Sequence, residues 1–311
     1  MFTLKFAITV FYGGLSFVAY FLTVFMMRAN WKEFSIAFFR LYIAFFIYNL
    51  ITFVNSFITV RIPQNTCKDC YMSFLFKAHS QNNTSWFPLN FFYTIHYSMA
   101  FVQYAMIMFV SINRCSMIFN LTSYNNQWKR IFPCIIVLVS LFPLTQTYPI
   151  FFNTAYYVYT EALDCYSTKT LANTATIYSH LLIYMGVTTI ITALANIFAF
   201  CKLSLMNSKI PKGEQNLMFV SLAMFFVQLF AGGNTIINRL FVSDSNATST
   251  WSQIAQTLIP FTSDGLTLIH PWILLAFSKR VRKCMMKTYF PRYVTTPITI
   301  AVQSGKSKSD R

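Results

Sequence analysis

The pattern of apolar and polar positions is clearest between Asn90 and Asn120, where a long apolar run carries a polar stripe. Polar side chains recur there at spacings of three and four residues, which places them on one face of a helix. A helix of this length whose one formal charge lies near its end is typical of a membrane span. The stripe must face protein or water, because lipid hydrocarbon offers polar groups no hydrogen-bond partners.

Six further apolar runs of similar length predict six more spans. The seven predicted spans cover residues 6–27, 35–60, 89–112, 131–152, 174–200, 216–242 and 251–277. The predicted fold class is therefore all-α, a bundle of seven transmembrane helices within residues 1–290. Cations surround Val281, Cys284 and Met285, which share one helical face, so a short amphipathic helix should follow span seven. Residues 291–311 have the composition of a disordered cytoplasmic tail.

Composition and charge agree with a membrane protein and orient it. The chain is 56% hydrophobic and only 10% charged, whereas soluble domains carry roughly 25% charged residues. The net charge of +16 would suggest nucleic acid for a soluble protein. Here most Lys and Arg fall on one side of the bundle, and the positive-inside rule therefore predicts an N-out, C-in orientation. We expect a multi-pass protein of the plasma membrane. The cations would then face the anionic inner leaflet of the lipid bilayer, with no nucleic-acid partner.

Glycosylation sequons support this orientation. Asn82, Asn83 and Asn246 each begin an Asn-x-Ser/Thr sequence in a predicted outer loop and are candidates for N-glycosylation. Asn120 begins another, but it lies in a predicted inner loop and should stay unmodified.

The cysteines in the predicted outer loops suggest one bridge. Cys67 and Cys70 form a lone C-x-x-C with no second pair and no nearby His ligand, which argues against a zinc or redox site. Cys165 lies in the loop before span five, and an oxidising compartment favours disulfides. We expect Cys165 to pair with Cys67 or with Cys70, and the sequence does not choose between them.

Asp264 is the only acid within a predicted span. A buried acid in a membrane is costly enough to require a partner or water. Asp264 could be a structural lock beside Pro260 and Pro271, part of a cation site, or a carboxyl group kept neutral by burial.

Polar groups in the outer half of spans three, five and six predict a ligand pocket. They would be polar anchors in an otherwise apolar site, or they would join helices through hydrogen bonds worth about 0.6 kcal/mol on average. The candidates are Tyr93, His96, Tyr97, His180, Tyr184 and Asn234.

Three spans carry a histidine, which raises the possibility of an intramembrane metal hydrolase. A catalytic zinc site needs several protein ligands at one depth. His96 and His180 lie near the outer ends of their spans and His270 lies near an inner end, so the three cannot share one ion. The sequence predicts no enzyme, no metal site and no cofactor.

Several short stretches resemble the nematode serpentine receptor class gamma family of seven-helix, chemoreceptor-like proteins. The matching stretches are Asn55-Ser56-Phe57 to Arg61-Ile62-Pro63-Gln64, Ser111-Ile112-Asn113-Arg114, Trp128-Lys129-Arg130 before Pro133, and Ser263-Asp264-Gly265-Leu266 to Pro271-Trp272-Ile273-Leu274-Leu275. The resemblance implies a G-protein-coupled-receptor-like protein with an unknown ligand. Asn113-Arg114-Cys115 stands where the larger receptor superfamily has Asp-Arg-Tyr, and His270-Pro271-Trp272 stands where it has Asn-Pro-x-x-Tyr.

The predicted function is a transmembrane receptor of chemoreceptor type. It would bind a small molecule in the outer half of the bundle and signal inward through a heterotrimeric G protein, with Asn113 and Arg114 as coupling candidates. Arg114 could instead be an interfacial cation that sets topology. The alternative function is a channel or transporter for a small solute, but the spans lack repeated charged positions and internal duplication.

Glycosidase treatment tests the predicted orientation. We expect Asn-to-Gln substitutions at Asn82, Asn83 and Asn246 to reduce the glycosidase-sensitive mass of the protein expressed in eukaryotic cells. The control Asn120→Gln should leave that mass unchanged, because an inner loop never meets the glycosylating enzyme. Loss of a glycan in Asn120→Gln would reverse the orientation.

Overall fold

The computed structural model describes residues 4–34, 36–80, 87–120, 123–161, 164–205, 212–243 and 250–291. Its elements are, in chain order, α1 (Leu4–Ala29), α2 (Trp31–Phe34), α3 (Ala37–Ser56), a π-helical turn (Phe57–Arg61), α4 (Ile62–Gln64), α5 (Ser73–Lys77), α6 (Leu89–Phe119), α7 (Tyr124–Phe152), β1 (Ala155–Thr160), β2 (Cys165–Thr170), α8 (Thr174–Leu205), α9 (Lys212–Ser243), α10 (Thr250–Leu268), α11 (His270–Phe277) and α12 (Lys279–Tyr289).

Six helical segments in the described part of the chain are long and apolar enough to cross a membrane. They match the first six predicted spans: Phe6–Ala29, Ala37–Gln64, Leu89–Phe119, Tyr124–Phe152, Thr174–Leu205 and Gln215–Ile237. Several run past the predicted ends, because a helix continues into polar sequence where the apolar run stops. The position of the seventh predicted span is occupied by α10 and α11, which are separated at Ile269.

Helix α6 lies at the centre of the bundle and packs against α3, α7, α8 and α9. Both of its faces are therefore buried. Val102 and Met106 on the apolar face are fully enclosed, and Gln103 and Ser111 on the polar stripe are enclosed as well. The outer helices instead expose large apolar side chains such as Phe11, which suits contact with lipid.

A β-hairpin closes one end of the bundle, where the sequence had indicated only a polar loop. Strands β1 and β2 pair antiparallel, with Ala155 opposite Thr170 and Thr160 opposite Cys165. The hairpin is bonded to the π-helical turn: the Tyr157 hydroxyl donates to the Ile58 carbonyl at 3.2 Å, and the Thr168 hydroxyl donates to the Thr59 carbonyl at 2.8 Å. We call this the hairpin end, and it corresponds to the predicted outer side.

The hairpin turn is held by Asp164, whose φ of 43° places it in the left-handed region. Its carboxylate accepts a hydrogen bond from the Tyr159 hydroxyl at 2.5 Å and another from the Lys68 backbone N–H at 3.3 Å. The hydrogen bond to Asp164 raises the pKa of Tyr159 to about 12. The turn thereby connects the hairpin to the loop that follows α4.

The expected bridge from Cys165 was wrong. The structure joins Cys67 to Cys70, and Cys165 lies buried at the start of β2. The two bonded residues are close because the chain turns between them: the Cys70 N–H donates to the Cys67 carbonyl at 3.3 Å, and their Cα atoms are 5.1 Å apart. The bridge closes a local turn and does not join the two outer loops.

Helix α12 lies at the opposite end, which we call the α12 end. Ser278 caps it by accepting a hydrogen bond from the Val281 N–H at 3.3 Å. Val281 and Cys284 face inward and are buried, as the amphipathic pattern predicts. The Tyr289 hydroxyl donates to the Leu22 carbonyl at 2.8 Å and ties α12 to α1. The sequons at Asn82, Asn83 and Asn246 and residues 292–311 of the tail lie outside the described residues.

Candidate functional site

A cavity of about 320 Å³ lies among five helices in the half of the bundle nearer the hairpin. This volume is at the lower end of the roughly 300–1,000 Å³ that small-molecule sites occupy. Residues of α3, α6, α8, α9 and α10 line it: Thr52, Ser56, His96, Tyr97, Ala100, Gln103, Tyr104, Tyr178, Leu181, Met185, Ala231, Thr235, Thr262, Ser263 and Leu266.

Helical periodicity explains why each helix contributes a stripe to this cavity. The α6 residues of the cavity wall lie on one face, because their spacings are mostly three or four residues. They include His96, Ala100, Gln103 and, beside it, Tyr104. This stripe is the polar face that the sequence predicted. Close packing completes the wall, because a Cβ placed on Gly232 would lie 3.5 Å from the Tyr104 hydroxyl oxygen.

Two polar groups in the cavity wall lack partners in the described part of the chain. Gln103 Nε2 and the Tyr104 hydroxyl are buried and make no hydrogen bond to another described residue. A buried polar group left unsatisfied costs roughly 1–3 kcal/mol. A molecule with oxygen acceptors in the cavity would satisfy both groups.

None of the described side chains that line the cavity is an acid, a lysine or an arginine. Apolar surface comes from residues such as Leu181, Met185 and Leu266, and hydroxyl groups provide most of the polar surface. Burying an unpaired charge in such a site would be costly. The lining therefore suits an uncharged molecule that has both apolar and hydrogen-bonding parts.

Four of the six predicted pocket residues lie at or beside this cavity. His96 and Tyr97 line it, and the Tyr93 ring stacks on His96 with centroids 6.1 Å apart. Asn234 is buried next to the cavity, where its amide donates to the Thr262 hydroxyl at 3.4 Å.

The other two predicted pocket residues lie elsewhere. His180 is exposed on the outside of α8, and the Tyr184 ring packs against Phe101 and Phe142 at centroid distances of 5.2 and 5.3 Å. His180, Tyr184, Thr188, Thr192 and Asn196 form a row of four-residue steps along this helix, and each step turns about 40° around the axis. The row therefore turns through about 160° between His180 and Asn196, so only its later members face the bundle.

A buried ion pair lies beside the cavity and explains Asp264. The Arg61 guanidinium is paired with the Asp264 carboxylate, and the Tyr12 hydroxyl donates to the same carboxylate. Arg61 Nε also donates to the Ser56 hydroxyl at 2.7 Å, and Ser56 lines the cavity. The Arg61 guanidinium further lies 4.7 Å from the centroid of the Phe53 ring. Of the three interpretations of Asp264 from the sequence, the geometry favours a structural lock. The lock joins α1, the π-helical turn and α10.

The sequence signal for this pair was incomplete, because the second predicted span ends at residue 60 and leaves Arg61 outside it. The π-helical turn carries the chain past the apolar run and directs the Arg61 side chain back into the protein, where it is 4% exposed. A sequence argument could have found the ion pair by matching the acid within one span to a cation at the end of another. Pro271 lies buried at the start of α11, directly after the break at Ile269.

A second polar cluster joins three helices farther from the hairpin. The Ser111 and Ser221 hydroxyls are 2.9 Å apart, and the Asn196 amide contacts both at 3.2 and 2.9 Å. All three side chains are buried. The cluster ties α6 to α8 and α9, and the sequence had not brought these residues together.

Arg114 is enclosed near the α12 end, with 1% of its surface exposed. Its guanidinium donates to Asn113 Oδ1 at 2.8 Å and to the Tyr124 hydroxyl at 3.0 Å. It also lies 4.3 Å from the centroid of the Phe38 ring. These contacts hold Arg114 inside the bundle, unlike an interfacial cation that extends into water.

Comparisons with known proteins agree with this architecture. Residues 6–285 match the family profile described as Srg family chemoreceptor. The chain is 34% identical over 291 residues to serpentine receptor class gamma-31 of Caenorhabditis elegans, which covers 93% of each chain. The structure is similar to the crystal structure of squid rhodopsin, with a TM-score of 0.64 at 14% identity, over 93% of this chain and 81% of that chain.

Substitutions in the ion pair test its role as a lock. Arg61→Met or Asp264→Leu alone should lower the stability of the detergent-purified protein by roughly 3–5 kcal/mol, because each leaves a buried charge without its partner. The double variant should be more stable than either single variant in thermal unfolding. Tyr12→Phe removes only a hydrogen bond and is the milder control. A double variant as unstable as the sum of the singles would contradict the lock.

Proposed function

Because the chain belongs to the Srg family of chemoreceptors, we propose that it is a receptor that binds an uncharged small molecule in the cavity nearer the hairpin and signals through a G protein. The proposal includes seven membrane spans with the hairpin end outside and the α12 end inside, at the plasma membrane. A rhodopsin-like fold and the excess of cations toward the α12 end support this arrangement.

The observation that carries the proposal is the pair of unpartnered groups in the cavity wall. Gln103 Nε2 and the Tyr104 hydroxyl are held on the central helix, buried and without a partner in the described chain. Uncharged walls exclude an ionic ligand on energetic grounds. A neutral molecule with one or two oxygen acceptors and an apolar part would fit both the volume and the polarity of the cavity.

The same helix connects the cavity with the proposed G-protein side. On α6, Tyr104 lines the cavity. Ser111 lies one to two turns farther along and bonds to α8 and α9. Arg114 follows near the α12 end. A ligand that touches α6, α8, α9 and α10 at once would favour one packing of these helices over another. Movement of α8 and α9 near Gly232 and Gly233 would then change the contacts of the Ser111 cluster.

At the α12 end, we propose that release of Arg114 accompanies activation. In the present structure, Arg114 is restrained by Asn113, Tyr124 and Phe38. A G protein would reach this guanidinium only if these contacts changed, so ligand binding and coupling would be linked through the packing of α6.

Variants of the two unpartnered groups test the ligand cavity. A small-molecule screen with a calcium readout would first identify an agonist. Gln103→Leu and Tyr104→Phe should each raise the agonist concentration for half-maximal response by about tenfold, the equivalent of one hydrogen bond of about 1.4 kcal/mol. Tyr184→Phe, the same change outside the cavity, should leave it unaltered. Equal potency in all three variants would place the ligand elsewhere.

Substitutions around Arg114 test the coupling step. Arg114→Ala should abolish G-protein activation while agonist binding and surface expression persist, because the guanidinium would be the group released toward the G protein. Tyr124→Phe removes one restraint and should raise agonist-independent activity severalfold. Lys129→Ala, at an exposed cation on α7, is the control. Normal signalling by Arg114→Ala at normal surface expression would remove Arg114 from this role.

A further inference from the structure

A second cavity, of about 990 Å³, lies between α1, α3 and α7 toward the α12 end. It is separate from the ligand cavity, and the two share no lining residue. Its walls reach the side surface of the bundle, since Ile47 is 51% exposed and Trp31 is 38% exposed. The cavity is therefore a groove that would open toward lipid, and it has no part in the receptor mechanism proposed above.

The groove has a long apolar wall formed by regular helical stripes. Ile43 and Ile47 are four residues apart on α3, and Phe132 and Ile136 are four apart on α7, so each pair lies on one face. Measured at 1.5 Å per residue along α3, the wall extends about 12 Å from Arg40 to Tyr48. There the Tyr48 hydroxyl bonds to the Ser140 hydroxyl of α7 at 2.7 Å and joins the two helices.

Two arginines lie at the α12 end of this groove. Arg28 lies in the last turn of α1, and Arg40 lies near the start of α3. The Arg40 guanidinium is 5.7 Å from the centroid of the Trp31 ring. No acidic side chain lines the groove, and the ion pair found in the described part of the chain belongs to Arg61 and Asp264. Arg40 Nε is buried and has no acceptor among the described residues.

The groove cations differ from Arg61 and Arg114, which are buried in the bundle. Arg61 and Arg114 each donate to at least one described acceptor, although Arg61 Nη1 and Arg114 Nε have none. Arg40 is bonded to no acceptor among the described residues, and its Nε is enclosed. A cation at the edge of a membrane span is costly unless an anion or water reaches it. An anion held between Arg28 and Arg40 would supply what the protein does not.

We propose that this groove binds an anionic phospholipid. Its phosphate lies between Arg28 and Arg40, and an acyl chain follows the apolar wall past Ile43 and Ile47. Guanidinium groups match phosphate oxygens through paired hydrogen bonds, and tryptophan is favoured at the level of lipid head groups. Basic pockets between transmembrane helices on the cytoplasmic side suit such head groups, and in the proposed orientation this groove faces the inner leaflet.

The shape of the groove distinguishes a lipid from other phosphate-bearing or acidic partners. Free phosphate would use only the two arginines and leave the apolar wall exposed. An acidic peptide would have to place backbone N–H and C=O groups against that wall, where they find no hydrogen-bond partners. A molecule with one anionic end and a long apolar chain uses both parts.

Lipid retention by the purified protein tests this site. The protein in detergent would be offered equal amounts of phosphatidylglycerol and phosphatidylcholine with identical acyl chains, and bound lipid would be counted by native mass spectrometry. We expect at least tenfold preference for phosphatidylglycerol. The double variant Arg28→Ala/Arg40→Ala should show almost none, whereas Arg130→Ala, the same charge change at an exposed position of α7 outside the groove, should behave as the unaltered protein.

Two further measurements separate a lipid from free phosphate and guard against misfolding. Ile47→Trp should fill the wall and reduce retention of both lipids severalfold, and millimolar inorganic phosphate should not displace bound phosphatidylglycerol. Arg28 is exposed, so Arg28→Ala alone should fold and should lower the preference about threefold. Unchanged preference in the arginine variants, full retention in Ile47→Trp, or displacement by inorganic phosphate would each overturn the proposal.

Discussion

The absence of hydrogen-bond partners in lipid hydrocarbon governs the arrangement of this protein. Every polar group within a span has to be satisfied by another part of the bundle or enclosed with a ligand. Helix α6 carries a polar stripe along much of its length, and this requirement is met only at the centre, where four other helices surround it. The exposed surfaces of α1, α7 and α8 then carry many large apolar side chains.

The buried ion pair is the strongest expression of the same constraint. Isolated charges within a membrane are costly, and removal of one partner leaves the other uncompensated. Arg61 and Asp264 therefore hold α10 against the π-helical turn, while Tyr12 adds α1 to the same carboxylate. Because Ser56 accepts from Arg61 and also lines the cavity near the hairpin, this pair keeps part of the cavity wall in position.

Periodicity and apolar length were enough to locate six spans and the polar stripe of α6, because both follow from helix geometry and burial alone. They could not locate features that depend on tertiary contacts. The hairpin is stabilised by carbonyls of the π-helical turn, and Arg61 is buried only because that turn directs it inward. On α8, a row of four-residue steps contained both the exposed His180 and the buried Asn196, and only packing shows which part faces the bundle.

Hydrogen-bond partners distinguish two kinds of buried polar group among the described residues. The Ser111, Asn196 and Ser221 cluster has mutual hydrogen bonds, so helix packing is sufficient to explain it. Gln103 Nε2, the Tyr104 hydroxyl and Arg40 Nε lack described partners although burial makes each of them costly. The two uncharged groups line a cavity among five helices, whereas the charged group lies in a groove beside Arg28. Their surroundings therefore call for different occupants: a neutral molecule with oxygen acceptors in the first case, and an anion with a long apolar chain in the second.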